Sequence, residues 1–105
     1  MSDLELLEMA AKAAGIEHVD YDGADYDGKY GLVMVGQHGQ HLHGWNPLTD
    51  DGDALRLAVH LALFDGAKLF HCRSLERFQN PKATEIERTR RAIVLTAAEV
   101  GRAMP

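Results

Sequence analysis

Cysteine is nearly missing: Cys72 stands alone in 105 residues. An internal disulfide is therefore excluded, and a cage of thiolates for zinc is out of reach. Usage this sparse matches a reducing compartment. Long apolar runs are missing too. The longest, Leu57 to Phe64, is broken by His60 and falls far short of the roughly 20 residues that a membrane span needs. The opening segment MSDLELLEMA is acidic and amphipathic, without the basic stretch that begins a signal peptide. No glycine-rich phosphate loop, nucleophile elbow or internal repeat occurs. Together these absences predict a cytoplasmic protein that does not enter a membrane.

What is there suits a globular chain. Hydrophobic residues make up 46% of the sequence, and its length accommodates one core, so residues 1–105 read as a single domain. The net charge of −5 is unevenly spread. Residues 1–65 carry three basic side chains against twelve acids, whereas residues 66–105 carry eight against four. A uniformly basic nucleic-acid binder is excluded. The two halves can neutralise each other in the fold, or present faces of opposite sign to a charged protein partner.

The spacing predicts a first helix over Asp3 to Ala14, capped by Ser2 with Glu5 three residues on, and stopped by Gly15. Short strands are expected near Ile16 to Tyr21, Tyr30 to Val35 and His41 to Trp45, joined by Asp-Gly turns and a Gln37-His38-Gly39-Gln40 hairpin turn. A second helix opens at Asp50 and runs to Asp65-Gly66, with Leu55, Val59 and Ala62 on one face and Leu57, Leu61 and Phe64 extending it. Ala67 to Cys72 reads as a fourth strand, and Arg73 to Ala83 as irregular. Thr84-Glu-Ile-Glu87 is a capping box for a closing helix to about Ala103, with Ile86, Ile93, Ala97 and Val100 on one face. The expected fold class is α+β, in the order α-β-β-β-α-β-α, with a small antiparallel sheet and helices packed on one face. Val94 and Leu95 point apart on the closing helix, leaving a spare apolar edge that permits a homodimer.

Three stretches carry a family resemblance: Trp45 to Val59 (WNPLTDDGDALRLAV), Leu6 to Gly15 (LLEMAAKAAG) and Arg88 to Gly101 (RTRRAIVLTAAEVG). They cover about two-fifths of the chain and resemble the NinX-like family of small phage and prophage proteins. His60 departs from that pattern, which has Lys or Arg there. The resemblance implies a phage or prophage accessory protein acting in the bacterial cytoplasm, and it brings no catalytic residues with it.

Candidate chemistry is thin. His38, His41 and His43 cluster in a turn and strand; two imidazoles at i and i+2 share a strand face and suit a Zn or Ni ion. A polar turn explains the same residues without an ion, so no metal or cofactor is expected. Asp50, Asp51 and Asp53 could hold Mg²⁺ or Ca²⁺, but helix capping accounts for them. Trp45, the one tryptophan, suits either a partner anchor or a core seal, and its place beside a helix start favours the core. Cys72 lacks a placed base, so an inert thiol and no enzymatic activity are expected. Asp22, Asp25 and Asp27 with His38, His41 and His43 are the candidate contacts for a host protein that the chain binds and modulates. The alternative is a nucleic-acid accessory using Arg88, Arg90 and Arg91, although Glu85 and Glu87 interleave with that patch.

Overall fold

The computed structural model describes residues 2–16, 18–19, 32–35 and 41–105. The first helix, α1, spans Asp3–Ala14. Ser2 Oγ accepts the Glu5 N–H at 3.2 Å and caps it. At its other end Gly15 adopts φ 71°, the left-handed conformation that glycine takes without a Cβ clash. The Gly15 N–H then donates to Lys12 O and the Ile16 N–H to Ala11 O, a Schellman closure. Leu6, Leu7, Ala10 and Ala11 form its buried stripe.

Three short strands follow: β1 (His18–Val19), β2 (Leu32–Val35) and β3 (His41–Trp45). They pair antiparallel in chain order, with an irregular register between Val33 and Val35. Helix α2 (Asp51–His60) begins at the Asp50 cap, whose carboxylate accepts the Asp53 N–H at 2.8 Å. Replacing Asp50 with alanine removes that acceptor at the positive end of a helix dipole. The expected loss is about 1 kcal/mol in chemical unfolding, while Asp51→Ala, one residue inside the helix, costs less.

After α2, Ala62 takes φ 54° and turns the chain into a 3-10 turn, Leu63–Asp65. Helix α3 spans Lys68–Gln79 and α4 spans Glu85–Ala103. The Thr84 capping box is complete: Thr84 Oγ1 accepts the Glu87 N–H at 3.1 Å, and Glu87 Oε1 accepts the Thr84 N–H at 3.2 Å. Helix α4 is the axis of the core. It packs along α1 and α3 and against α2 and the 3-10 turn, so its buried residues (Ala92, Ile93, Val94, Thr96, Ala97, Ala98 and Gly101) lie around most of its circumference.

The expected α+β class is overturned. Four α-helices hold more than half of the described residues and pack chiefly on one another. The core is therefore helical, and the helices do not lie on one face of a supporting sheet. The expected fourth strand at Ala67 to Cys72, and most of the irregular stretch after it, are the single helix α3. The second helix ends at His60, before the Asp65-Gly66 stop that the sequence suggests.

Helix faces are corrected as well. Leu55 and Val59 point into solvent, 56% and 64% exposed, while Ala54, Leu57 and Ala58 face the core. These three also recur at helical spacing, and the small alanines let neighbouring backbone approach more closely than leucine would. Ile86 and Val100 are exposed and Ile93 is buried, so they do not share one buried face. Val94 is fully buried and Leu95 partly so, which leaves no spare edge at that pair.

Candidate interaction surface

Among the described residues no helix is long and apolar enough to cross a membrane. Nor do three His, Cys, Asp or Glu side chains among them gather where a metal could sit. The acidic cluster at the start of α2 shows how such groups are used instead. Asp50 caps the helix. Asp51 Oδ1 receives Arg90 Nη1 at 2.6 Å. Asp53, buried, accepts the Asn46 N–H at 3.0 Å and Arg56 Nη2 at 2.8 Å. The Asn46 side-chain Oδ1 in turn accepts the Leu48 N–H, and the Asn46 backbone carbonyl accepts the Thr49 and Asp50 N–H groups. Trp45, Asn46 and Pro47 are all buried. Much of the Trp45–Val59 stretch is thus occupied with sealing a turn and starting a helix.

The three arginines considered for nucleic acid all have partners within the chain. Arg88 donates Nε to Asn80 O at 3.2 Å, Nη2 to Pro81 O at 2.7 Å and Nη1 to Glu85 at 2.8 Å. Arg90 donates Nε to Leu48 O at 2.9 Å besides its bond to Asp51. Arg91 joins Asp3 at 3.1 Å and Glu76 at 3.5 Å, which ties α4 to α1 and α3 together. A guanidinium with its donors directed at protein acceptors presents little to a phosphate backbone, so this geometry favours a structural role.

Glu76 is a residue that the sequence did not single out. It is only 2% exposed, on the α4-facing side of α3 with Leu69 and Cys72, and its carboxylate is held by Asn80 Nδ2 and Arg91. Opposite charge and a hydrogen bond make such burial tolerable. Glu85 gathers Arg73, Arg77 and Arg88. The hydrogen bond from Arg73 leads in holding its pKa below the usual glutamate range, against a smaller upward push from burial. Glu87 is likewise lowered, first by the Thr84 backbone N–H. Lys68 is raised, chiefly by its hydrogen bond to Glu99 on α4. Cys72 is buried on α3, away from the strand end expected for it.

Asp22, Asp25, Asp27 and His38 lie outside the described residues. His41 and His43 are placed on β3, and their side chains lie outside the description as well. A cavity of about 550 Å³ beside Trp45 is walled by Ala14, Ile16 and Leu57, and its polar edge is the Asp53–Arg56 pair with His60. The acid and the arginine there already bond each other.

Part of what the described surface offers to a partner is apolar. The side of α3 turned away from α4 carries Phe70, Leu75 and Phe78, the last 86% exposed. Phe70 and Phe78 are eight residues apart, roughly 12 Å along the helix, and Leu75 lies about 60° round the helix from Phe78 on the side away from Phe70. No protein-family model, curated protein or solved structure compared with this chain matches it.

Proposed function

We propose that the chain is a phage or prophage accessory protein that binds and modulates a protein of the host cell, with the solvent face of α3 as its contact. The origin rests on the resemblance of Trp45 to Val59 and the two flanking stretches to NinX-like proteins. The contact rests on one observation: Phe78, a large aromatic side chain, stands almost wholly in water at the end of a helix whose other side is well packed. Aromatic side chains of this kind are enriched in protein interfaces, and a few of them carry most of the binding energy. Helix α3 is held against α4 by Lys68–Glu99 at one end and by Arg73 and Arg77 on Glu85 further along. Its outer face is therefore presented by a fixed scaffold, which lowers the ordering cost of binding.

Affinity capture from bacterial lysate, with nuclease-treated controls, tests this reading. One stoichiometric host protein is expected on the wild-type chain. Phe78→Ala is expected to weaken its retention about tenfold or more, equivalent to at least 1.4 kcal/mol, with unchanged helicity. Capture that survives both Phe70→Ala and Phe78→Ala, or that disappears with nuclease, would refute it.

A further inference from the structure

We propose that a second, separate surface pairs the chain with a copy of itself, through the apolar groove whose floor is the first half of α4. Ile86, Thr89 and Ile93 line this floor, and Ala54 and Leu55 of α2 with Phe64 of the 3-10 turn form its walls. The groove encloses about 310 Å³. Leu55, Phe64 and Ile86 are each exposed over half of their surface or more, and Val59 continues the Leu55 stripe one turn on. Half-exposed side chains of this size leave an apolar patch on the order of 400 Å², within the roughly 300–600 Å² of the largest patch on a typical chain, a patch that is often functional.

The area suits a second copy as the occupant. In a two-fold contact the same patch appears on both sides, so about 800 Å² of apolar surface would be covered. With the usual polar rim, roughly two-fifths of an interface, the total reaches about 1,300 Å², within the range of stable, specific interfaces. The rim favours a copy as well. Asp51 is matched by Arg90 at 2.6 Å, and Glu85 by Arg88 at 2.8 Å, with Arg73 and Arg77 behind. Copies of a chain of net charge −5 carry a net mutual repulsion, but here the charges at the rim are locally balanced. Ile86 also sits two residues after the capped Thr84, so its backbone is already ordered before any partner arrives.

Sedimentation equilibrium on the full chain, from about 1 to 200 µM, decides the matter. The wild type is expected to approach twice its 11.6 kDa mass. Ile86→Glu and Leu55→Glu each place a charge in the paired groove and are expected to raise the dissociation constant at least a hundredfold, with unchanged circular dichroism. Should either glutamate variant fail to fold, Ile86→Ser and Leu55→Ser carry the same expectation at a smaller magnitude. Phe78→Ala is expected to remain dimeric, which separates this surface from the host contact on α3. A monomer throughout the range, a dimer indifferent to both groove positions, or a mass that grows beyond two copies would overturn the proposal. So would a monomer that captures a host protein through Ile86 and Leu55.

Discussion

Gly101→Ala is expected to lower stability by about 2–4 kcal/mol, although alanine is the better helix former by up to about 1 kcal/mol. The reason is distance. A Cβ built on Gly101 would lie 1.9 Å from the Met9 carbonyl oxygen and 2.8 Å from its carbon. Both are backbone atoms of α1, so no rotamer change relieves the overlap, and α1 must shift along its whole contact with α4. That contact is lined by small buried residues, Ala10 and Ala11 on α1 and Ala97 and Ala98 on α4, with little slack to absorb the movement. Urea unfolding should show a lower midpoint with an unchanged slope. Gly66→Ala is the control, because a Cβ there meets nothing within 4 Å. A Gly101→Ala chain within 1 kcal/mol of the wild type would show that the two helices do not cross so closely.

The second large effect is expected at Trp45. Truncation to alanine should cost about 3–5 kcal/mol, and replacement by phenylalanine distinctly less. The indole is 4% exposed and belongs to the cluster that includes Leu57 and Ala58 of α2 and Leu7 of α1. It also precedes the Asn46 turn, whose hydrogen bonds set the entry of α2, so its loss loosens the joint between strand and helix. Thermal unfolding followed by far-ultraviolet circular dichroism is the suitable measurement, since the variant has no tryptophan to report. An unchanged midpoint would return Trp45 to the role of a partner anchor, which its type alone permits.

Several features were legible because they are local. The Ser2 and Asp50 caps, the Thr84–Glu87 box and the Gly15 stop each depend on residues within three or four positions, where chain geometry leaves few alternatives. Helix α3 was not legible, for a reason that lies in Glu76. Its buried positions, Leu69, Cys72 and Glu76, follow helical spacing, but the third is a carboxylate, so the apolar pattern stops after one turn and imitates a short strand. The partner that makes Glu76 acceptable inside, Arg91, lies fifteen residues on in another helix. The pairing of Arg88, Arg90 and Arg91 was hidden for the same reason. In sequence they are a run of cations, but Asp51, Asp3, Glu76 and several carbonyls reach them from other elements.

Sequence alone determined where α1, α2 and α4 begin, that Gly15 closes α1, and that a single cysteine can form no internal disulfide, because these follow from neighbouring residues and from composition. Tertiary structure decided which side of each helix is buried. Leu55 and Ala54 are adjacent on α2 and both suit a core, yet close approach to α4 favours the smaller side chain and leaves the larger one in water. It also decided that a helical core prevails over a sheet, since α4 is covered on three sides by other helices. Burial is a property of what packs against a residue, and that information lies far away along the chain.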